Sequence, residues 1–226
     1  MNIKKRFYFA LTNCCNRTCK YCSCYSRPGK NTFLPFEKIK EYIDSVGDNC
    51  DFEIQLEGGE PLLHPDFYNI IEYAVNTGKC DAVILTSNFV LVNDVEEFFD
   101  KINVKNLNRF LIKPSINFEL YEDGFFEKMK TIRDLIKSYP KFDLKFNVRL
   151  DKTENDDFIL ENLERFHLVE DSNIFYYQRY GYAKNNESFD LPFIISNPVD
   201  FHLISPDGID FGMDLISRSN HMEKLP

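Results

Sequence analysis

Residues 11–25, LTNCCNRTCKYCSCY, contain five of the seven cysteines of the chain. Three of them, Cys15, Cys19 and Cys22, have the spacing C-x3-C-x2-C. Three thiolates in one short loop can bind three corners of an iron–sulfur cube, which leaves the fourth iron without a protein ligand. The apolar run at residues 7–11 predicts a buried strand that leads directly into this loop. The stretch therefore predicts a metal-binding loop at the end of a first strand.

A four-thiolate zinc site is the alternative for this loop, because structural zinc binds four side chains in a tetrahedron. The loop offers five cysteines for it: Cys14, Cys15, Cys19, Cys22 and Cys24. Structural zinc sites usually use two separated pairs of ligands, whereas Cys50 and Cys80 are isolated in the sequence. The spacing favours an iron–sulfur cluster, and zinc stays open at this point.

Outward from the loop, apolar strands alternate with amphipathic helices along most of the chain. The predicted strands are residues 7–11, 52–56, 82–86, 109–113, 142–150 and 174–177, and the predicted helices are residues 34–46, 65–76, 94–102, 125–138 and 156–167. Such alternation predicts a parallel sheet with right-handed crossovers. Six units are fewer than the eight of a closed TIM barrel. We expect an α/β fold, an open partial (β/α)6 TIM-like barrel, with a flatter doubly wound sheet as the alternative.

The tail departs from the alternating pattern. Residues 201–211 predict a β-hairpin with residues 206–208 as its turn. We expect residues 1–198 to form the barrel core and residues 199–226 to form a short hairpin and tail within the same globule.

Charge and composition limit the partners. The net charge of −9 argues against general binding of nucleic acid, which requires many Lys and Arg side chains. No apolar run approaches the length of a membrane span, and residues 7–11 are too short for a signal peptide. We expect a cytoplasmic protein with no membrane partner. Thiols stay reduced there, so clustered cysteines indicate metal ligands rather than disulfides.

A second motif, Gly58-Gly59-Glu60-Pro61, stands at the end of the next predicted strand. Two glycines allow a ligand to approach the backbone closely, and a glutamate can accept a hydrogen bond from an ammonium group. A cysteine loop after the first strand and Gly-Gly-Glu after the second resemble the radical S-adenosylmethionine (radical SAM) superfamily. The resemblance covers roughly residues 5–185.

The resemblance implies a set of ligands. Cys15, Cys19 and Cys22 would hold one [4Fe–4S] cluster, and its open iron would chelate the amino and carboxylate groups of S-adenosylmethionine. The Gly-Gly-Glu segment would contact the methionine amino group, and Tyr21 would lie near the adenine. No catalytic side chain is assigned.

Weaker matches extend this set to the ends of later strands. Ser87-Asn88 resembles the Thr-Asn that often ends the third strand of the family. Ser115 and Asn117 resemble the Ser-x-Asp that addresses the ribose or carboxylate of the cofactor, although Asn117 lacks the usual charge. Arg149 could pair with the cofactor carboxylate, because a guanidinium matches a carboxylate in a bidentate fork. A structural ion pair is the alternative for Arg149.

The implied reaction is reductive cleavage of S-adenosylmethionine to a 5′-deoxyadenosyl radical, which abstracts hydrogen from a substrate. An external one-electron reductant of the flavodoxin or ferredoxin type would be required. The substrate is expected to be a peptide or protein, because residues 204–208 resemble the start of the cysteine-rich C-terminal domain of peptide-modifying members. No cysteine follows Cys80, so one cluster is expected. A small molecule such as a nucleoside or pterin-like compound, and a non-catalytic zinc or iron–sulfur module, are the alternatives.

Three interpretations concern residues beside the motifs. Cys14 and Cys24 are out of register and are interpreted as bystanders; a Cys24 thiol that donates a hydrogen atom to substrate is the alternative. Cys50 and Cys80 are interpreted as packing residues. Glu57 either faces the substrate or is a solvated carboxylate at a strand end.

Overall fold

The computed structural model describes residues 4–192 and 200–226 and joins their strands in one parallel sheet. The strands are β1 (Lys5–Thr12), β2 (Phe52–Gly58), β3 (Cys80–Ser87), β4 (Phe110–Ile116), β5 (Phe142–Leu144), β6 (Phe146–Leu150), β7 (Ser172–Tyr176) and β8 (Asp200–Ile204). Their order across the sheet is β7-β6-β4-β3-β2-β1-β8, and β5 also pairs with β4. The expected division between residues 198 and 199 lies outside the described residues.

The strands from β1 to β7 follow one another across the sheet in chain order. A doubly wound sheet would reverse direction at a switch point between them. With right-handed crossovers, a sheet that does not reverse carries its crossover helices on one face. This arrangement is that of an open partial barrel, so the expected α/β barrel class is confirmed and the doubly wound alternative is wrong.

Five helices lie where the apolar periodicity predicts them, and a sixth follows in the tail. They are α1 (Phe36–Asp44), α2 (Phe67–Asn76), α3 (Val95–Ile102), α4 (Phe125–Leu135), α5 (Asn155–Arg165) and α6 (Leu215–Met222). Asp94 caps α3 by accepting a hydrogen bond of 2.9 Å from the backbone N of Glu97. Among the described residues, no helix is long and apolar enough to cross a membrane.

The strand predicted at residues 142–150 is interrupted. It divides into β5 and β6 around Lys145, although both parts pair with β4 in the same register. In this register Lys145 lies opposite Lys113, and Pro114 of β4 lies opposite Phe146, the first residue after the break. Because proline has no N–H to donate, the hydrogen-bond ladder is weakened at this point.

The hairpin predicted in the tail is joined to the main sheet. The first strand of this predicted hairpin is β8, which pairs in parallel with β1 and extends the sheet. The return arm is still present, because the backbone N of Phe211 donates to the Leu203 carbonyl at 2.9 Å. The helix α6 was not predicted. The tail therefore belongs to the barrel itself.

Alternation along the strands separates an apolar face from a polar one. One face carries large buried side chains that share a core with the helices, including Phe7, Phe9, Ile54, Leu56, Val83, Leu85, Phe110 and Ile112. Fully burying each such side chain contributes about 1.5–3 kcal/mol. The opposite face carries Gln55, Glu57, Lys113, Asn147 and Arg149. These polar side chains line the concave side of the barrel.

Candidate active site

A cavity of about 560 Å³ lies on the polar face of the sheet, toward the C-terminal ends of the strands. All described strands except β5 contribute to its wall, and α6 adds side chains from the tail. Of the residues predicted to bind cofactor or metal, those that line it are Cys15, Cys19, Tyr21, Cys22, Gly58, Gly59, Asn88, Ser115, Asn117 and Arg149. Glu60 is the one predicted residue that does not.

The three motif thiols converge on this cavity. Burial, with a smaller contribution from the nearby Cys22 thiol, raises the pKa of Cys15 and Cys19 to about 12. In residues 4–192 and 200–226, no three His, Cys, Asp or Glu side chains lie close enough together to hold a single metal ion. The corners of an iron–sulfur cube are different irons, so their thiolates stand farther apart than the ligands of one ion. A cationic iron centre would stabilise such buried thiols as thiolates.

The glycine motif holds the cysteine loop in place. The Gly59 N–H donates to the Thr12 carbonyl at 2.7 Å, and the Glu60 N–H donates to the Cys14 carbonyl at 2.9 Å. A Cβ added to Gly59 would lie 2.0 Å from the Cys14 carbonyl oxygen. Gly58 has φ of +122°, a region that favours glycine. The glycines are therefore required by the approach of the β1 loop, in addition to any ligand.

The Glu60 carboxylate is hydrogen-bonded, in the interior of the protein, to the segments that follow β2 and β3. Its side chain is fully buried and accepts hydrogen bonds from Ser87 Oγ at 2.7 Å, the Asn88 backbone N at 2.9 Å and the Leu62 backbone N at 3.2 Å. Sequence reasoning assigned this carboxylate to the ammonium group of a cofactor. In the structure its hydrogen bonds join the segments that follow β2 and β3, beside Gly59 and Asn88 of the cavity wall.

The burial of Glu60 predicts a dependence of stability on pH. Burial raises the pKa of Glu60 from its ordinary value of 4.5 to about 7. The folded state then binds more protons than the unfolded state between these values, so the unfolding free energy falls as pH rises from 4.5 through 7. We expect that the unfolding free energy of the wild type falls, through Glu60, by on the order of 2 kcal/mol between pH 5 and pH 8, and that Glu60→Gln removes this contribution.

Urea unfolding across this pH range measures the effect. The matched control is Glu164→Gln, at an exposed position on α5, which should keep the wild-type slope. If the unfolding free energy of Glu60→Gln depends on pH as that of the wild type does, the pKa of Glu60 is the same in the folded and the unfolded state, and the prediction is wrong.

The remaining predicted residues present polar groups to the cavity. Asn88 Nδ2 lies 3.8 Å from the Cys15 sulfur and donates to Asn16 Oδ1 at 2.7 Å. The Arg149 guanidinium lies 3.6 Å from the ring centroid of Phe175. This stacking is not the structural ion pair that sequence reasoning held as the alternative for Arg149. The side chain is held by an aromatic face and keeps hydrogen-bond donors available.

Tyr21 lies at the aromatic edge of the cavity. Its ring centroid is 4.8 Å from that of Tyr177 and 5.0 Å from that of Phe189. Of the two cysteines that flank the motif, Cys24 lines the cavity and Cys14 does not. An aromatic platform therefore stands beside the cysteine loop.

Buried polar atoms without partners are concentrated around the cavity. Among the described residues, the lining side chains with such an atom are Arg17 (Nε), Thr86 (Oγ1), Asn117 (Oδ1), Arg149 (Nη1) and Arg218 (Nη1). An unsatisfied buried polar group costs about 1–3 kcal/mol. Because these groups surround one cavity, a polar ligand would satisfy several of them at once. The wall fits a charged, hydroxyl-bearing cofactor held beside three thiols.

Sequence reasoning left the role of Glu57 open and missed three other polar side chains of the cavity wall, Gln55, Lys113 and Arg218. Arg218 of α6 donates from Nη2 to Glu57 Oε1 at 2.7 Å, so Glu57 faces the cavity as one partner of an ion pair. Gln55 and Lys113 also line the wall. A signal for Gln55 and Lys113 was present in the sequence. Parallel strands that are buried on both faces are usually continuously apolar, and these polar residues interrupt β2 and β4. Arg218 had no such signal.

Comparisons with known proteins agree with this arrangement. The model of the "Radical SAM superfamily" matches residues 9–166. A GTP 3′,8-cyclase of Aeromonas hydrophila is 34% identical over 107 residues, which are 42% of this chain and 31% of that protein. The putative peptide biosynthesis protein YydG of Bacillus subtilis is 25% identical over 158 residues, which are 68% of this chain and 48% of that protein.

A solved structure shows the same fold. The crystal structure of Streptococcus suis SuiB bound to precursor peptide SuiA matches with a TM-score of 0.52 and 19% identity, covering 78% of this chain and 39% of that chain. This chain therefore spans less than half the length of these three proteins.

Proposed function

Because this chain belongs to the radical SAM superfamily of enzymes, we propose that it cleaves S-adenosylmethionine reductively and abstracts a hydrogen atom from a peptide or protein. In this proposal Cys15, Cys19 and Cys22 hold one [4Fe–4S] cluster. An external one-electron reductant of the flavodoxin or ferredoxin type supplies the electron. The observation that carries the proposal is the meeting of three thiols and several unsatisfied polar groups in one cavity.

The cofactors supply the difficult chemistry and the protein positions them. When bound, the reduced cluster would transfer one electron to the sulfonium of S-adenosylmethionine, which would release a 5′-deoxyadenosyl radical beside the substrate. The cavity wall would keep bulk water away from this step.

The cofactor-binding roles follow from the chemistry of each side chain. Arg149, with an unpartnered Nη1, suits the methionine carboxylate. Asn117 offers an unpartnered Oδ1 as an acceptor for a ribose hydroxyl, with Ser115 beside it on the wall. Asn88 and the backbone at Gly58 and Gly59 would contact the methionine amino end near the cysteine loop.

An adenine site is proposed at the aromatic edge, where Tyr21 packs against Tyr177 and Phe189. Aromatic faces suit a purine ring, since offset stacking is favourable. We also propose that the reaction takes place in the cytoplasm, where thiols stay reduced; this is supported by the seven cysteines, none of which forms a disulfide.

A peptide substrate is supported by two similarities. The solved SuiB structure contains a precursor peptide, and YydG is described as a peptide biosynthesis protein. The barrel is also open, because its sheet ends at β7 and β8 without closing.

A small-molecule substrate such as a nucleotide is the second candidate, and the similarity to GTP 3′,8-cyclases favours it. Turnover of GTP without any peptide would support this second candidate.

The test is anaerobic reconstitution with iron and sulfide, followed by an assay for 5′-deoxyadenosine. We expect about four irons per chain, as one cubane cluster requires, and 5′-deoxyadenosine that forms only with a reductant such as dithionite. Iron well above four would contradict the single cluster. No reductant-dependent product in the wild type would contradict the proposed reaction.

A further inference from the structure

Four polar side chains form a connected network in the cavity: Gln55, Glu57, Lys113 and Arg218. Lys113 Nζ lies 3.4 Å from Gln55 Oε1, Gln55 Nε2 donates to Glu57 Oε2, and Arg218 Nη2 donates to Glu57 Oε1 at 2.7 Å. The network joins β2, β4 and α6, and all four residues line the cavity. None of the four is among the residues proposed to hold the cluster or to bind S-adenosylmethionine, and Cys24 of the cysteine loop lies near Arg218 and Glu57.

The network has one more cation than anions. Arg218 is paired with Glu57, and Arg218 is only 4% exposed. Lys113 has only the amide oxygen of Gln55 as a partner within the described ranges, and no carboxylate within 4.0 Å. Burial lowers the pKa of Lys113, and the Glu57 carboxylate opposes this shift. Lys113 is half-buried, and an ammonium group in that position without a carboxylate in contact is only partly compensated, so the network can accept one more anion.

The other cations of the wall already have assignments. Arg17 forms an ion pair with Glu122. Arg149 is assigned to the cofactor carboxylate in the proposed function. Lys113 is the remaining cation of the wall. It is linked to Arg218 through Gln55 and Glu57, and the Nη1 of Arg218 is buried and unpartnered.

We infer that this network is a substrate subsite that accepts one carboxylate, supplied by a Glu or Asp side chain of the peptide, with Lys113 as its ion-pair partner. The inference rests on the proposed function and specifies its substrate. One negative charge matches the single excess positive charge, whereas a nucleoside triphosphate would bring several. The subsite therefore favours an acidic peptide over a GTP-like substrate.

The test uses the full chain, reconstituted anaerobically and saturated with S-adenosylmethionine. The probes are acetyl-Ala-Ala-Glu-Ala-Ala-amide and the same peptide with Gln in the central position, and calorimetry measures each Kd. We expect the Glu peptide to bind roughly tenfold more tightly, because a hydrogen-bonded ion pair replaces a neutral contact. Lys113→Met should reduce the ratio of the two Kd values to about one, and Lys113→Arg should retain the preference.

Lys130→Met, on the exposed side of α4, is the matched control and should keep the wild-type ratio. Equal binding of both peptides, no saturable binding of either, or a preserved preference in Lys113→Met would overturn the subsite. Sodium diphosphate is the third probe. If it displaces the Glu peptide at lower concentration than N-acetylglutamate does, the subsite is one for phosphate and the carboxylate inference is wrong. The proposed function is tested separately. It would be contradicted if no 5′-deoxyadenosine forms, whereas the ratio of the two Kd values reports only on the subsite.

Discussion

Cys19→Ala should lose reductant-dependent 5′-deoxyadenosine formation, down to the level of a reaction without enzyme. A cubane held by two protein thiolates has two open irons and is readily lost, so no electron reaches the sulfonium. The Cys19 side chain is small and only partly buried, so the fold should survive its truncation. Anaerobic product analysis, with circular dichroism to check folding, measures both effects.

Cys14→Ala is the matched control in the same loop. Cys14 lies beside Cys15 but does not line the cavity, so this variant should retain its iron and most of its activity. Equal activity in Cys19→Ala and the wild type would remove Cys19 from the ligand set. Equal loss in both variants would indicate that the loop, and not the three-thiol set, determines activity.

Arg218→Met should lower the unfolding free energy by about 3–5 kcal/mol, because it leaves the Glu57 carboxylate without its cationic partner in the cavity. Methionine keeps much of the volume of the side chain, so the effect reports charge rather than a void. The double variant Glu57→Gln with Arg218→Met should recover much of the loss, since the carboxylate that Arg218 pairs with is then also removed. Urea unfolding of the two single variants and the double variant measures this coupling.

An exposed pair supplies the contrast. Lys184 and Glu223 form an ion pair with both side chains more than 40% exposed. Lys184→Met should change stability by no more than about 1 kcal/mol. If Arg218→Met costs as little as Lys184→Met, the buried pair does not hold α6 against the barrel.

The barrel could be predicted from sequence because each of its signals is local. Apolar runs in the strands, such as residues 7–11 and 52–56, and the helical spacing of residues between them are visible without tertiary information. Chain order across the sheet then follows from short right-handed crossovers. The break at Lys145 was missed, because it depends on Pro114 in a neighbouring strand.

The cavity could be predicted less completely. Cys15, Cys19 and Cys22 are close in the sequence and form a motif that is recognisable without knowledge of the fold. The hydrogen bonds of Glu60 could not be predicted, because two of its three donors, Ser87 and Asn88, are 27 and 28 positions away in the sequence. Arg218 was missed because its partner Glu57 is 161 positions away, a contact that only the sheet and α6 together create.

The central claim is that three thiolates leave one iron of a cubane open for S-adenosylmethionine, and Mössbauer spectroscopy tests it most directly. The chain is reconstituted anaerobically with ⁵⁷Fe, and spectra are recorded without and with S-adenosylmethionine. We expect one iron of the four to change its signal on addition of S-adenosylmethionine while the other three keep theirs. Four irons that all remain unchanged, or a chain that takes up zinc and forms no cluster, would contradict the claim.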